Sequence, residues 1–319
     1  ALPILLSVPQ CNLIAQSQSG TGKTAAFVIA MLSRVRLDQH YPQVLCLAPT
    51  FELAIQIGEV AAKMSKFIPN LNIRFAVRGE NIDRSKPVTD HIIIGTPGKV
   101  INLSVQLRLF SLAKLTTFVL DEADIMISLQ GHQDQCLRIR RELSAECQMM
   151  LFSATYSTEV IEFAQRIVPR ADIIKLKKEE ESLDNIKQFY IRCLNREEKY
   201  KALTNIYACI GLGQAIVFCH TKKTAHWLSE KMTKDGHAVA VLSSDLTVDQ
   251  RIMILDRFRC GKEKVLITTN VLARGIDIEQ VTIVVNFDLP IDTNRVADCE
   301  TYLHRIGRTG RFGKAGIAI

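Results

Sequence analysis

The sequence predicts an α/β protein of two parallel sheets in tandem, each covered by helices on both faces, and three observations predict it. Short apolar runs alternate with longer amphipathic stretches from residue 12 to about 175, the pattern of βα units packed into a parallel sheet. A charged stretch without apolar periodicity, Lys175–Asn185 (KLKKEEESLDN), interrupts that series, and a second alternating series follows it. The first series opens on Asn12–Phe27 (NLIAQSQSGTGKTAAF), a glycine loop between an apolar run and a helical pattern, which makes it of the P-loop nucleotide-binding type. The predicted boundaries are residues 1–175 for the first domain, 176–186 for the linker and 187–319 for the second domain. A chain of 319 residues matches two ordinary domains of about 150 each.

Composition supports this and restricts the function. Hydrophobic residues make up 47%, enough for two cores, and the formal charge of +7 is compatible with a polyanionic partner without requiring one. The nine cysteines form no CxxC pair, which argues against a zinc site and a disulfide framework and for a reducing compartment. Cys46 and Cys219 lie in apolar runs and read as small core residues. No apolar run is long enough to span a bilayer and no charged-then-apolar leader opens the chain, so a soluble protein without membrane insertion is expected. Ala1 stands where a start methionine would, and the sequence is expected to be a piece of a longer chain.

The glycine loop carries the first chemistry. Leu13–Ala15 reads as a buried strand, and Phe27, Val28, Ile29, Met31 and Leu32 give the following helix its apolar face. Between them, Ser17, Gln18, Ser19, Gly20, Thr21 and Gly22 form a loop whose backbone N–H groups can turn inward on phosphate oxygens, with the helix N-terminus adding positive potential. Lys23 can reach the β- and γ-phosphates and the Thr24 hydroxyl can bind Mg²⁺. The strict pattern opens with glycine where Ser17 stands. The rest of the first series gives strands at Val44–Ala48, Ile73–Val77, His91–Ile94, Thr117–Leu120, Gln148–Phe152 and Asp172–Lys175, with helices such as Phe51–Phe67 and Gln133–Leu143 between them. The second gives strands at Gln188–Arg192, Ala215–Cys219, Ala238–Leu242, Lys264–Thr268 and Thr282–Asn286, helices at Arg196–Ile210, Lys222–Lys234 and Val248–Cys260, and an irregular polar stretch between Asn286 and His304.

Ligands of parallel sheets bind at the carboxyl ends of the strands, and the remaining motifs follow strands directly. Asp121-Glu122-Ala123-Asp124 comes after Phe118-Val119-Leu120; acids at the end of a buried strand are costly unless a cation sits there. Asp121 fits a Mg²⁺-holding role and Glu122 can orient and deprotonate an attacking water. A plain helix start with first-turn acids is the bland alternative. Pro49-Thr50-Phe51-Glu52-Leu53-Ala54, Thr96-Pro97-Gly98-Lys99 and Ser153-Ala154-Thr155 each follow a strand, and each suits either phosphate recognition or ordinary helix capping. Thr269–Asp277 places a hydroxyl, a glycine and an acid after a strand, and Asp277 could accept from a ribose hydroxyl or cap a turn. In His304–Arg311 (HRIGRTGR), Arg308 and Arg311 stand three apart on one side of a turn, suited to a γ-phosphate or to a basic patch facing RNA or solvent.

Together, GTGKT (Gly20–Thr24), PTFELA (Pro49–Ala54), TPGK (Thr96–Lys99), DEAD (Asp121–Asp124), SAT (Ser153–Thr155), ARGID (Ala273–Asp277) and HRIGRTGR (His304–Arg311) resemble, in order and spacing, the motifs of the DEAD-box ATP-dependent RNA helicases of superfamily two. The resemblance covers nearly the whole chain. It implies two RecA-like domains with ATP and Mg²⁺ between them and RNA across both. Carried onto this sequence, it implies Lys23, Thr24 and Asp121 at the phosphates and Mg²⁺, Glu122 at the attacking water, and Arg308 and Arg311 at the γ-phosphate. It further implies Gly275 and Asp277 near the ribose, and Ser153, Thr155 and His304 in the coupling of hydrolysis to RNA. Pro49, Thr50, Gly79, Thr96, Gly98, Lys99, Arg251 and Thr269 match positions on the RNA backbone.

The departures lie on the RNA side. Ser244 and Val248 replace glycine and glutamine in the family's HGDMxQxxR stretch, Phe51 replaces an arginine, Asn270 an aspartate, and Lys99 an arginine whose planar fork is thereby lost. The family's adenine-reading segment falls before Ala1, so ATP over GTP rests on the resemblance. Gln130–Gln135, Asn270, the linker stretch Lys177–Asp184 and the residues between Pro290 and Tyr302 are similar to the nuclear-pore, mRNA-export branch. That implies a monomer of cytoplasm and nucleus, working at the cytoplasmic face of the pore with an activator carrying inositol hexakisphosphate and a cytoplasmic nucleoporin. An RNA-stimulated ATPase that clamps single-stranded RNA and unwinds duplex or strips protein is expected. An ATP-latched RNA clamp with little turnover and a DNA translocase of the same superfamily are the alternatives.

Overall fold

Residues that alternate along each strand fall into two separate cores, and this is what makes both sheets two-sided. The computed structural model describes the chain except residues 18–20, 81, 130, 176–184, 210–212, 270–277, 279, 293 and 311–313. It divides into two units, Ala1–Glu181 and Ser182–Ile319.

In the first unit, β1 (Asn12–Gln16), β2 (Val44–Leu47), β3 (Ile73–Ala76), β4 (Ile92–Gly95), β5 (Thr117–Leu120), β6 (Gln148–Ser153) and β7 (Ala171–Ile174) form one parallel sheet in the order β3-β4-β2-β5-β6-β1-β7. Its helices are α1 (Leu2–Leu5), α2 (Lys23–Ser33), α3 (Phe51–Met64), α4 (Pro97–Ile101), α5 (Ala123–Ser128), α6 (His132–Arg141) and α7 (Thr158–Ile167). Leu45, Leu47, Phe118, Leu120 and Leu151 pack on one face with α4, α5, α6 and α7. Val44, Cys46, Val119, Met150 and Phe152 pack on the other with α2 and α3. Each large apolar side chain so buried contributes roughly 1.5–3 kcal/mol relative to exposure. Burial raises the thiol pKa of Cys46, and pushes those of Cys136 and Cys147 up to about 12, in keeping with inert core residues.

In the second unit, β8 (Ile186–Gln188), β9 (Gln214–Phe218), β10 (Val239–Leu242), β11 (Val265–Thr268), β12 (Val281–Asn286) and β13 (Gly316–Ala318) form a parallel sheet in the order β10-β11-β9-β12-β13-β8. Helices α8 (Arg196–Cys209), α9 (Lys222–Lys234), α10 (Val248–Arg259) and α11 (Cys299–Ile306) accompany it. Ala215, Val217 and Ile267 face α8 and α9, whereas Ile216, Phe218 and Leu266 face α10. Among the described residues no helix is long and apolar enough to cross a membrane.

Two expectations are corrected. The strand predicted at Gln188–Arg192 is β8, Ile186–Gln188. Its ladder stops because its partner β13 has only three residues, and Phe189, Tyr190 and Ile191 beyond it are 56%, 78% and 50% exposed. Ile186, placed by the charge pattern at the end of the linker, therefore opens the sheet of the second unit; residues 176–184 lie outside the described residues. The stretch between Asn286 and His304 is not irregular throughout: α11 starts at Cys299, where the Asp298 carboxylate accepts from Thr301 N.

Candidate functional site

The strand order sets β5, β6 and β1 side by side, so the loops after them meet at one sheet edge. Gly22 caps α2 with φ of 89°, a left-handed conformation that glycine adopts without strain. Gly22 makes no side-chain capping bond, and the first turn of α2, starting with Lys23 and Thr24, brings backbone N–H groups of the kind that helix N-termini offer to anions. Ser17, in the position of the pattern's first glycine, ties the loop down: its N–H donates to Ser153 O at 3.0 Å and its hydroxyl bonds the Thr21 hydroxyl. A cavity of about 330 Å³ opens here, lined among others by Gln16, Ser17, Thr21, Gly22, Lys23 and Phe152. Gln18, Ser19 and Gly20, also expected in the loop, lie outside the described residues.

Lys23 extends across this edge to the loop after β5. Its Nζ lies 3.5 Å from Glu122 Oε1, with the side chains only 8% and 10% exposed. Lys23 Nζ and Glu122 Oε2 are buried without a hydrogen-bond partner among the described residues. Buried charge with unmet hydrogen-bonding capacity is costly and marks a site made for something else. Glu122 is also held at φ of 51°, a left-handed conformation unusual outside glycine, which stores about 1–3 kcal/mol. Next to it, the Asp121 carboxyl is pushed up to about 7, first by burial and then by the Glu122 charge, against the pull of Lys23. Asp121 Oδ1 accepts from Glu122 N at 3.0 Å.

Asp124 was not among the sequence-predicted site residues, yet it joins this loop to the next. Its Oδ2 accepts from both Thr155 N and Thr155 Oγ1 at 3.0 Å, and its N–H donates to Ser153 Oγ at 3.3 Å. Ser153 and Thr155 thus contact the DEAD stretch directly. The sequence shows only an acid three residues after Asp121; its burial and its place opposite the two hydroxyls come from β5 and β6 being adjacent.

The positions expected on an RNA backbone follow other strands of the same sheet. Thr50 caps α3, its Oγ1 accepting from Leu53 N at 3.3 Å, which leaves its hydroxyl proton to donate. Thr96 precedes α4 and makes no such capping bond. Gly98 packs against the Gln135 side chain of α6, and Gly79 has φ of 93° after β3. Pro49 lies in the turn after β2, and Lys99 lies within α4, which follows β4.

In the second unit, Arg251 lies in the first turn of α10, Thr269 directly follows β11, and His304 and Arg308 belong to α11 and the turn after it. Arg308 Nε donates to His304 O at 3.0 Å. Gly275, Asp277 and Arg311 lie outside the described residues. Arg305, also missed from the sequence, is the largest fully buried side chain among the described residues. Its Nη1 donates to Asn286 Oδ1 at 3.0 Å and to Asp288 O at 2.6 Å, and its guanidinium lies 5.0 Å from the Phe218 ring centroid. It fastens α11 to the ends of β9 and β12.

Residues 1–163 match the DEAD/DEAH box helicase family model and residues 198–313 match the helicase conserved C-terminal domain. The DEAD-box helicase Dbp80 of Drosophila melanogaster is 65% identical over 319 residues, covering 100% of this chain and 69% of that protein. The ATP-dependent RNA helicase DDX19A of Mus musculus is 59% identical, covering 100% of this chain and 67% of that protein. S. cerevisiae Dbp5 bound to RNA and ADP BeF3 superposes with a TM-score of 0.94 at 48% identity, covering 100% of this chain and 81% of that one. A Dbp5 variant bound to Nup159, a Gle1 variant, IP6 and ADP gives 0.71 at 45% identity, with 100% and 81% covered.

Proposed function

The chain belongs to the DEAD/DEAH box helicase family and is a nucleotide-binding, ATP-dependent RNA helicase, and on that premise we propose how its own residues divide the work. The observation that carries the reading is the buried pair Lys23–Glu122 at 3.5 Å, beside Asp121, with hydrogen-bonding capacity left over. Buried charges of both signs at a helix N-terminus suit a triphosphate with Mg²⁺: phosphate oxygens answer the Lys23 ammonium, and a cation answers the paired acids. Lys23 holds the β- and γ-phosphates, the Gly22–Thr24 N–H groups take phosphate oxygens, and Thr24 and Asp121 hold Mg²⁺ largely through water. Mg²⁺, when bound, neutralises charge on the phosphates. Glu122 orients the attacking water and takes its proton. Arg308 and Arg311 balance charge on the γ-phosphate, Gly275 and Asp277 contact the ribose, and Ser153, Thr155 and His304 couple hydrolysis to RNA.

Pro49, Thr50, Gly79, Thr96, Gly98, Lys99, Arg251 and Thr269 hold the RNA backbone, which makes binding largely indifferent to base sequence. The solved relative that carries Nup159, Gle1 and IP6 supports a role in mRNA export at the cytoplasmic face of the nuclear pore, with equivalents of those partners. Steady-state ATP turnover with single-stranded RNA, with DNA and with neither tests the reading. RNA-specific stimulation that Glu122→Gln abolishes, with nucleotide binding intact, is the expected result. Equal stimulation by DNA identifies a DNA translocase, and long-lived ATP–RNA complexes without stimulation identify the clamp. Unchanged turnover in Glu122→Gln removes Glu122 as the base.

A further inference from the structure

The turn that carries Arg308 rests on the first residue of β8, far from it in sequence. Gly310 has φ of 68°, and a Cβ there would lie 2.6 Å from Ile186 Cγ1 and 3.6 Å from Asn185 O. The backbone of the turn therefore lies directly on the Ile186 side chain, with no room for another atom between them. Ile186, Ile306 and Ala318 form a small core of their own, with Tyr302 and Leu303 packed against it. Ile186 belongs to neither of the two larger cores that cover the faces of the sheet. Polar contacts fix the same arrangement: Gly316 N donates to Asn185 O at 2.8 Å and Tyr302 Oη donates to Gln188 Oε1 at 2.8 Å.

The rest of the turn is pinned from its other sides. Thr309 Oγ1 donates to Val281 O at 3.0 Å, Arg308 N donates to Arg305 O at 3.1 Å, and Arg308 Nε donates to His304 O at 3.0 Å. These bonds fix where the Arg308 backbone and the base of its guanidinium sit relative to α11 and β12. Gly316 of β13 packs on the same turn, since a Cβ there would lie 2.6 Å from Gly310 N and 2.7 Å from Thr309 Oγ1, and Ile186 supplies the side chain on which the backbone of residue 310 is seated.

We propose that Ile186 is a positioning residue for Arg308, setting the height of the arginine turn above the sheet. The proposal rests on the reading of Arg308 as a γ-phosphate contact. A guanidinium acting on a developing charge must be placed to within a fraction of an ångström, and losing that placement costs rate rather than ground-state binding. Deleting the Ile186 side chain beyond Cβ lets the turn sink towards β8, and Arg308 with it.

The test uses the full chain with saturating single-stranded RNA. Ile186→Ala is expected to lower kcat for ATP hydrolysis by about tenfold or more, with KM for ATP and RNA affinity within about twofold of wild type. Ile186→Val, which keeps Cγ1 and the fold, is expected to give a smaller loss in the same direction. Leu203→Ala removes a side chain from the larger core under α8; it is expected to lower Tm at least as much as Ile186→Ala while leaving kcat near wild type. Arg308→Ala is measured alongside. If it collapses kcat while both Ile186 variants hydrolyse normally, or if Leu203→Ala loses kcat as Ile186→Ala does, Ile186 has no positioning role. If Arg308→Ala hydrolyses normally, the reading of Arg308 fails and the proposal with it.

Discussion

Lys23 Nζ stands 3.5 Å from Glu122 Oε1, and both side chains are about nine-tenths buried. The separation allows Coulomb attraction but no hydrogen bond, so each charge is neutralised without being fully solvated. Glu122→Gln should leave the ammonium facing a neutral amide and destabilise the nucleotide-free protein by roughly 1–3 kcal/mol. Phosphate oxygens then gain more by entering than they do in wild type. Thermal unfolding should give a lower Tm for the unliganded variant and a larger rise on adding MgATP. An unliganded Tm equal to wild type, with an equal rise, would show that the pair neither stabilises the empty site nor competes with nucleotide.

The Asp121 carboxyl gives the same site a pH dependence. Burial first, and the Glu122 charge second, push it from an ordinary 3.8 to about 7, with Lys23 opposing. A carboxyl whose folded pKa is raised binds more protons folded than unfolded between those values. Its effect on stability is therefore absent below 3.8 and grows into a full penalty as pH rises to about 7. Asp121→Asn should raise the Tm of the unliganded protein more at pH 8 than at pH 5. Binding of MgATP, which favours the ionised carboxylate, should release a proton near pH 6 and almost none at pH 8.5. Calorimetry in buffers of different ionisation enthalpy measures that release, and Asp121→Asn should remove it. Proton release that is the same at both pH values would place the titration on another group.

The sequence carried the sheet edge well. Alternating apolar runs located the strands, and motifs that directly follow strands must share one edge of a parallel sheet, so Lys23, Asp121, Glu122, Ser153 and Thr155 were legible as neighbours. What stayed hidden was tertiary. Nothing local marks Asp124 as the acceptor for Thr155, because that pairing depends on β5 and β6 being adjacent. Arg305 is charged and reads as surface, and the carbonyl of Asp288 and the Asn286 amide at the strand end help to make its burial tolerable. The β8 strand was shifted because Phe189 and Ile191 alternate as a strand would, whereas the pairing with β13 ends with the bond from Phe189 N to Ala318 O at 2.9 Å and both side chains are exposed.

Asp124 accepts two bonds from Thr155 through one oxygen, which makes its two obvious variants unequal. Thr155→Val removes the hydroxyl bond and keeps the backbone bond, at a cost of about 1 kcal/mol. Asp124→Asn removes the charge that strengthens both bonds, and an amide NH₂ turned towards Thr155 opposes two donors. A cost of about 1–3 kcal/mol is expected. The double variant should cost less than the sum, since both changes act on one contact. Denaturant unfolding of the four proteins measures this, and strict additivity would mean that the two residues are not coupled. Strand separation per ATP hydrolysed should fall in Thr155→Val more than ATP turnover does.

Arg305 offers a sharper test, because its role depends on the shape of its head group and not on its charge alone. One Nη1 donates both to Asn286 Oδ1 and to Asp288 O while the guanidinium plane lies near the Phe218 ring. A lysine keeps the charge but cannot bridge both acceptors in a plane and loses the guanidinium contact with the Phe218 ring. Arg305→Lys should therefore destabilise the second unit by roughly 1–3 kcal/mol, the cost of leaving buried acceptors unmet. Arg305→Met keeps the length and drops the charge and every hydrogen bond, and should cost at least as much. If Arg305→Lys unfolds like wild type while Arg305→Met is destabilised, charge rather than geometry holds α11 in place. The expected order, with both variants well below wild type in denaturant midpoint, follows from a planar donor serving two fixed acceptors at the end of β12.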